Sequence, residues 1–536
     1  MSQVEENQVA PVVDENAPSK AALKKAAKEA EKAQKKAEIA KKQAETQPVY
    51  VPPKLTLEQM KDAKFGDMPL HQSQPEFTSD NQFTDIKLLT PGPVKIRAYL
   101  HNVRATGKSA FTILRQRQFT LQAVFFGEKD MIKYINSVPK ESYVEVEGIY
   151  KASEQPINSC SISGFELEIT RFFAITRAVS MLPLQVEDAA RPDSAFEVKD
   201  TVFVKPGRDT RFDNRILDLR TPANQSIFKV RMAIQQSFMK FLIEKNFMQI
   251  TSPKIISGSS EGGADIFSLQ YFGQPACLAQ SPQLYKQMSI AAGFQRVFEI
   301  GPVFRAEKSH THRHLCEFTG MDIEVEVFQH YHEVLVILDQ LMKFIFKNTL
   351  ETCQEEIDFI RKQFDLKMPP TIEWTEETVI VDFRDGAKWL QEAGYKQSEV
   401  EDLNTENERA LGKIVKEKFH TDFYILDKFP GSIRPFYTMP DVDDNRFSNS
   451  YDMFIRGEEI CSGAQRIHDP EYLKERIVAK GINPDTLKDY IDAFRYGCPP
   501  HAGAGLGLER IVMLMLGIED CRQCCLFPRT PERLTP

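Results

Sequence analysis

One stretch of the sequence, residues 298–325, places many cationic side chains between two apolar segments: FEIGPVFRAEKSHTHRHLCEFTGMDIEV. Alternation around Val297 and Glu299, and again around Phe318 and Met321, predicts two antiparallel strands joined by this loop. Cations concentrated on such a loop suit a polyphosphate, and Arg305 can contact one phosphate through two parallel hydrogen bonds. The stretch therefore predicts a phosphate-binding loop.

Three histidines, His310, His312 and His314, alternate along this loop and could be taken for a zinc site. Arg313 interrupts them, and a cationic loop repels a divalent metal. The one CxxC motif, at residues 521–524, lacks a second CxxC or a histidine pair to complete a tetrahedral site. We therefore expect phosphate contacts and no zinc.

A second segment, GAGLGLERIVMLML at residues 503–516, has glycines ahead of an apolar helix, with Arg510 near the helix start. It superficially resembles a dinucleotide fingerprint, but that fingerprint must follow a strand, and CPPHA precedes it here. The sequence has no P-loop motif either, so ATP would have to be held in another way.

Two carboxylates lie between these segments, in YDMFIRGEEICSGAQRIHD. Asp452 and Glu459 are candidate Mg²⁺ ligands, since carboxylate oxygens together with ATP phosphates commonly hold this ion. Two acids considered alone would more often be solvated side chains.

The elements that position these residues are predicted from periodicity. Helical spacing predicts a helix over residues 224–245, whose apolar face consists of Ile227, Val230, Ile234, Phe238, Phe241 and Leu242. The helix runs into FMQITSPKI, where Pro253 ends a short strand. Strands and helices then alternate, which predicts one large domain over residues 223–536, preceded by a hinge over residues 181–222.

Alternation with period two dominates residues 91–180. It begins at Val94, Ile96, Ala98 and Leu100 and recurs in four further segments. Five short strands in about ninety residues predict a small closed barrel such as an OB-fold, which commonly binds single-stranded nucleic acid.

The N-terminal segment is basic although the chain is acidic. Residues 20–42 hold nine Lys against three Glu, and removing this +6 segment from the net charge of −8 leaves −14. We predict a disordered or helical lysine-rich arm over residues 1–48, followed by an extension over residues 49–90. A basic arm on an acidic body indicates a polyanionic partner.

Composition limits the class of protein. The 536 residues are 42% hydrophobic, which is typical of a globular chain and excludes a fibrous or wholly disordered one. Nine cysteines without a disulfide framework indicate a reducing compartment. Neither a secretory signal nor a membrane span is recognisable, so we expect a cytoplasmic protein.

The helix–strand–Pro253 segment, the 298–325 loop and the 503–516 segment resemble motifs 1, 2 and 3 of the class II aminoacyl-tRNA synthetases. The resemblance implies a multidomain α+β protein, in which an OB-fold barrel is followed along the chain by an antiparallel sheet flanked by helices. It also implies a homodimer formed through motif 1. It implies Arg305, Glu459 and Arg510 as catalytic residues and Asp452 and Glu459 as Mg²⁺ ligands. The implied ATP contacts are Arg305, Glu307, Arg313, His314, Leu315, Phe318, Glu459, Gly507, Leu508, Glu509 and Arg510.

Two further segments, SSEGGADIF and AQSPQLYKQM, narrow the resemblance to the cytosolic aspartyl enzymes of eukaryotes. In that family Lys286 and Arg466 would bind the aspartate side chain and reject asparagine, whose amide would present donors to donors. The other implied aspartate contacts are Glu261, Gln283, Arg305, Asp322 and Ser462.

The resemblance also implies contacts with tRNA(Asp). Phe111 would stack on an anticodon base and Gln122 would read a base edge. The motif SKAALKKAAK would bind tRNA through Lys20, Lys24, Lys25 and Lys28. Membership of a multi-synthetase complex is compatible with such an arm.

The implied reaction is activation of L-aspartate by Mg²⁺-bound ATP, followed by transfer to tRNA. An asparaginyl enzyme is the nearest alternative and is disfavoured by Lys286. A catalytically inactive RNA-binding paralogue is disfavoured by Arg305, Glu459 and Arg510, while a simple OB-fold module would leave most of the chain unexplained.

Overall fold

The computed structural model describes residues 54–73, 85–198, 203–257, 266–366, 369 and 371–536. The predicted arm, with Lys20, Lys24, Lys25 and Lys28, and the predicted aspartate contact Glu261 lie outside these residues. The described chain divides into two compact units, the first with residues up to 116 and 120–183, the second with residues 117–119 and 184–536.

The first unit is a small β-barrel. Its strands are β1 (Phe65–Asp67), β2 (Gly92–Ala105), β3 (Ser109–Gln116), β4 (Phe119–Phe126), β5 (Tyr143–Ala152) and β6 (Phe165–Thr176), and its helices are α1 (Leu57–Asp62) and α2 (Lys129–Ser137). Strands β2–β6 close in the order β6-β4-β3-β2-β5, since β5 pairs back to β6, and β1 is added beside β6. Ile96, Ala98 and Leu100 are buried inside, as their alternation predicts. The predicted five-stranded closed barrel is confirmed.

The second unit is built on an eight-stranded sheet. The strands of this unit are β7 (Met248–Gln249), β8 (Ile255–Ile256), β9 (Ser268–Tyr271), β10 (Gln274–Leu278), β11 (Arg296–Phe304), β12 (Glu317–Glu326), β13 (Ile380–Asp382), β14 (Phe423–Asp427), β15 (Ser450–Ile455), β16 (Glu458–Gln465) and β17 (His501–Gly507). The sheet order is β13-β14-β15-β16-β17-β12-β11-β7, and β8-β10-β9 form a small separate sheet. All neighbours in the large sheet are antiparallel except the outermost pairs, β13–β14 and β7–β11.

Twelve α-helices of the described chain accompany this sheet: α3 (Val186–Ala189), α4 (Arg208–Asp213), α5 (Arg215–Asp218), α6 (Pro222–Glu244), α7 (Gln283–Ala291), α8 (His332–Thr352), α9 (Gln354–Phe364), α10 (Phe383–Glu392), α11 (Thr405–Phe419), α12 (Pro470–Ala479), α13 (Lys488–Arg495) and α14 (Leu508–Leu516). Short 3₁₀ helices lie at Ile86–Leu88, Asp193–Phe196, Gly431–Ile433, Pro484–Leu487 and Cys521–Cys524. No helix in the described part of the chain has the length and apolarity needed to cross a membrane.

Helix α6 confirms the predicted long helix. Thr221 caps it by accepting a hydrogen bond from the Asn224 amide, and Pro222 occupies its first turn, so it begins two residues before the predicted start. The six apolar residues predicted for its inner face are all buried in one core with α8, α14 and the inner strands of the sheet.

The structure agrees with the argument against a dinucleotide fold. The glycines do not follow a strand: they lie within β17, between β12 and β16, and the element before β17 is helix α13. The sheet leaves no space for a side chain here, because a Cβ on Gly503 would lie 2.1 Å from Glu324 Oε2. In addition, β17 is antiparallel to both neighbours, whereas a dinucleotide fold needs parallel strands.

Candidate active site

A cavity of about 510 Å³ opens over β11, β12, β16 and β17 in the second unit. Its walls also include the loop that follows β11 and the loop after the Gly431–Ile433 turn. The predicted residues that line it are Gln283, Arg305, Glu307, Arg313, His314, Leu315, Phe318, Asp322, Glu459, Ser462, Arg466, Gly507, Glu509 and Arg510. Side chains distant in sequence thus share one cavity.

Several predicted residues lie elsewhere. Leu508 is fully buried in the core behind the cavity. Lys286 and Asp452 are buried and do not line the cavity, but each is paired with a residue that does, Lys286 with Asp322 and Asp452 with Arg434. Pro253 follows β7 on the edge of the sheet.

One end of the cavity is cationic. Arg305 lies over the Phe318 ring, 5.4 Å from its centre. Arg510 Nη1 donates to the Glu459 carbonyl at 3.1 Å and lies 3.4 Å from Glu459 Oε2. Burial, together with Arg510 and Arg313, lowers the pKa of His314 to about 4, so this imidazole is neutral at neutral pH. The guanidinium groups supply the positive charge that a triphosphate requires.

Arg313 has a partner that the sequence did not reveal. Its Nη2 donates to Glu408 Oε1 at 3.2 Å and to Thr405 Oγ1 at 3.0 Å, both on α11. Burial raises the pKa of Glu408, with Arg313 opposing that shift. Because Glu408 lies far away in sequence, no local pattern indicated this pairing.

The opposite end of the cavity holds a buried cluster of charges. Lys286 Nζ donates to Asp322 Oδ1 at 3.0 Å and to the Ala504 carbonyl at 3.1 Å, and lies 3.4 Å from Glu324 Oε2. Arg466 donates to both oxygens of Glu324, through Nε at 2.9 Å and Nη2 at 3.3 Å.

Glu324 therefore joins the two cations predicted to select the substrate. Complete burial alone would raise the pKa of Glu324. Arg466 and Lys286 lower it by more than burial raises it, so the net shift of the pKa is downward. The sequence analysis missed this residue. Its signal was present, because Glu324 stands two residues after Asp322 on the same face of β12.

A hydrogen-bonded chain leads away from Gln283. The Gln283 Nε2 group donates to Gln287 Oε1 at 2.9 Å, Gln287 Nε2 lies 3.0 Å from His501 Nε2, and His501 Nδ1 lies 2.8 Å from the Pro499 carbonyl. Since a carbonyl only accepts, His501 carries its proton on Nδ1 and accepts from Gln287. Because Gln283 donates to Gln287 through Nε2, its side-chain oxygen points away from Gln287.

Asp452 and Glu459 lie on adjacent strands, β15 and β16. The pKa of Asp452 is raised to about 7, chiefly by burial, with Arg434 opposing the shift and Glu459 adding to it. Asp452 Oδ1 is 2.9 Å from Arg434 Nη2, yet it makes no hydrogen bond of good geometry. The described residues contain no group of three potential metal ligands. Glu459 lines the cavity and fits a Mg²⁺ ion that also takes phosphate oxygens, whereas Asp452, on the neighbouring strand, is ion-paired with Arg434.

The barrel presents its own candidate site. Phe111 on β3 is 36% exposed, and its ring meets the more exposed Phe126 edge-on, with centres 6.2 Å apart. Gln122 on β4 donates to Glu166 Oε2 at 3.3 Å. Exposed aromatic rings beside an amide suit stacked, single-stranded bases.

Comparisons with known proteins agree with both units. The family described as OB-fold nucleic acid binding domain matches residues 94–173. Aspartate–tRNA ligase, cytoplasmic, from Homo sapiens is 49% identical over 447 residues, which span 83% of this chain and 88% of that protein. Aspartate–tRNA ligase 1, cytoplasmic, from Arabidopsis thaliana is 44% identical over 90% of this chain and 92% of its own length.

Solved structures give the same result. Aspartyl tRNA synthetase from Entamoeba histolytica superposes with a TM-score of 0.80 at 40% identity and covers 92% of this chain and 99% of its own. Asparaginyl-tRNA synthetase from Pyrococcus horikoshii gives a TM-score of 0.73 at 28% identity, over 85% of this chain and all of its own. The family described as tRNA synthetases class II (D, K and N) matches residues 207–531. With the antiparallel sheet and the cationic cavity already described, these matches show that the chain belongs to the class II tRNA synthetases.

Proposed function

We propose that this enzyme is an aspartate–tRNA ligase, which activates L-aspartate with ATP and transfers it to the 3′ end of tRNA(Asp). The observation that carries the proposal is the buried Lys286–Glu324–Arg466 cluster at the end of the cavity opposite the phosphate-binding arginines. Relatives named aspartate–tRNA ligase over most of the chain support the same assignment.

Arg466 is placed to select the aspartate side chain. It lines the cavity while only 3% exposed, and its hydrogen bonds to described residues use Nε and Nη2, which leaves Nη1 for a ligand carboxylate. The amide of asparagine would turn an NH₂ donor towards these donors, and a buried donor without an acceptor is costly. Lys286 contacts Glu324, which in turn holds Arg466, and Lys286 also positions Asp322 to face the substrate ammonium. Gln283 and Ser462 add neutral hydrogen bonds to the substrate.

Catalysis needs no side-chain nucleophile. The α-carboxylate of aspartate attacks the α-phosphate of ATP, pyrophosphate leaves, and the terminal ribose hydroxyl of tRNA then attacks the aspartyl-adenylate. Arg305 stabilises the charge that develops on the α-phosphate, and Arg510 binds the γ-phosphate. Glu459 would hold Mg²⁺, which neutralises phosphate charge when bound.

The remaining parts of the chain serve tRNA binding and assembly. Phe111 and Gln122 bind the anticodon, and the lysines of the arm bind the tRNA backbone. The segment with Pro253 forms a homodimer interface. The enzyme works in the cytoplasm.

The test is amino-acid-dependent ATP–pyrophosphate exchange with Mg²⁺ and no tRNA, using aspartate, asparagine and lysine separately. We expect exchange with aspartate alone. Exchange with asparagine would assign the chain to the sister specificity, and no exchange with any of the three would favour an inactive RNA-binding paralogue.

Arg305 provides the matching test of the site. We expect Arg305→Ala to abolish aspartate-dependent exchange with an unchanged thermal unfolding midpoint, because the side chain is 36% exposed and serves the ligand more than the core. Near-normal exchange by this variant would contradict the role given to Arg305.

A further inference from the structure

A second cavity, of about 710 Å³, lies beside the active site in the same unit. It is an open cavity, lined mainly by the Gly431–Ile433 turn, the loop that follows it and the end of α12. Thr438 lines both cavities. None of the described residues that line the second cavity is acidic, whereas three of them are cationic: Arg446, Arg476 and Lys480.

Two of these cations lack a neutralising carboxylate. Arg446 is paired with Asp444 and Glu399. Arg476, by contrast, forms no ion pair with a described residue, and its buried Nε has no hydrogen-bond partner there. Lys480 Nζ donates only to a neutral acceptor, the Ser432 carbonyl, at 2.8 Å.

The two cations lie close enough to repel each other. Burial lowers the pKa of Lys480, and Arg476 lowers it further. Thr438 adds a hydroxyl oxygen that is buried, at 3% exposure, and has no hydrogen-bond partner within the described chain. Buried polar groups are normally satisfied, so Arg476 Nε and the Thr438 hydroxyl, both unpartnered among the described residues and beside the exposed ammonium group of Lys480, indicate a missing anion.

We infer that this cavity binds a phosphodiester of the tRNA acceptor end through Arg476 and Lys480. The inference rests on the proposed function, because the terminal ribose of tRNA must enter the active-site cavity during transfer. The phosphates that precede this ribose must then lie beside that cavity, and the second cavity, which shares the wall residue Thr438 with it, offers positive charge there. A guanidinium and an ammonium group are the usual partners of phosphate oxygens.

The experiment compares Arg476→Gln and the double variant Arg476→Gln/Lys480→Gln with wild-type protein. Lys474→Gln is the matched control, since Lys474 is an exposed cation on the same helix, α12, that does not line the cavity. We expect KM for tRNA to rise about tenfold in the double variant, and the salt dependence of tRNA binding to become shallower by about one unit of slope. Aspartate-dependent exchange without tRNA should stay at the wild-type level.

Free pyrophosphate is the other possible source of the anion. A raised KM for pyrophosphate in the exchange reaction, with tRNA binding unchanged, would assign the cavity to pyrophosphate and overturn the inference. Equal tRNA binding and salt slope in both cavity variants and the control would overturn it as well. Direct equilibrium binding of tRNA keeps this test separate from the proposed function, because a wild-type protein that bound tRNA without exchange would contradict that function alone.

Discussion

Glu324 shows what a single residue contributes to this site. Its two oxygens hold Arg466, one of them lies 3.4 Å from Lys286 Nζ, and all three side chains are nearly inaccessible to water. Removing one member of a buried ionic cluster leaves the others without compensation in a medium of low polarity, which costs more than the pair itself contributes.

We expect Glu324→Gln to lower the free energy of unfolding by about 3–5 kcal/mol and to raise KM for aspartate. The variant keeps the shape of the side chain and removes only the charge. Urea unfolding and exchange kinetics measure the two effects. Glu326→Gln, on the same strand but partly exposed, is the control and should change stability by less than about 0.5 kcal/mol. Equal stability of the two variants would contradict the role of Glu324.

His501 is expected to act on the substrate through two glutamines. In His501→Leu, Gln287 Nε2 loses its acceptor. The Gln287 amide that orients Gln283 is then held, among the described residues, only by the Tyr490 hydroxyl, which donates to Gln287 Oε1 at 2.9 Å. One hydrogen bond of this kind is worth about 1.4 kcal/mol, so KM for aspartate should rise about tenfold. The values of kcat and of KM for ATP should remain close to wild type. A fall in kcat with unchanged KM for aspartate would contradict the role given to the hydrogen bonds between His501, Gln287 and Gln283.

The cavity residues that lie within one continuous motif could be predicted from the sequence. The side chains that pair with them could be predicted only in part. Arg305, Glu307 and Phe318 stand in one string whose loop and strands set their positions. Glu324 had a usable signal in the alternation along β12. Arg434 had none, because it reaches Asp452 from a loop whose path depends on the packing of the whole unit.

At the scale of elements, β17 is the clearest departure from expectation. A strand is normally recognised from alternating or β-branched side chains, and GAGLG supplies almost no side chain to alternate. Its strand character comes from the neighbours: β12 and β16 pair with it on both sides, and their approach requires glycine. Such a requirement is tertiary, so local pattern cannot reveal it.

Gly503 tests this explanation of β17. A Cβ there would lie 2.1 Å from Glu324 Oε2 and 2.3 Å from the Ile323 carbonyl oxygen, and the backbone oxygen cannot move aside. We expect Gly503→Ala to destabilise the enzyme by about 1–3 kcal/mol or more and to raise KM for aspartate by displacing Glu324. Ala504→Gly, at the neighbouring buried position, should cost only about 1 kcal/mol. Urea unfolding of both variants decides the matter, and a smaller loss of stability at Gly503 would refute the crowding argument.

At the scale of the molecule, the boundary between a barrel and a sheet-based unit was predicted from a change in the period of the hydrophobic pattern along the sequence. Alternation by two predicted the barrel, and the mixture of helical and strand patterns predicted the larger unit. The pairing order of the eight strands could not be predicted, because pairs such as β7 with β11 and β12 with β17 are brought together by long-range packing that leaves no periodic pattern in the sequence.

The charge distribution of the whole chain leads to the last prediction. The basic segment at residues 20–42 carries +6 on a chain whose remainder carries −14, so the body should repel tRNA at long range and the arm should attract it. We expect deletion of residues 1–48 to weaken tRNA(Asp) binding and to make log Kd depend less steeply on log salt, by about 0.7–0.9 for each phosphate that the arm neutralises. Exchange without tRNA should be unaffected, because every residue to which we assign a role in adenylate formation lies outside residues 1–48. Binding measured from low to high salt, in parallel with exchange, separates the two activities. If the truncated enzyme lost exchange to the same extent as tRNA binding, the division of labour between arm and cavity would be wrong.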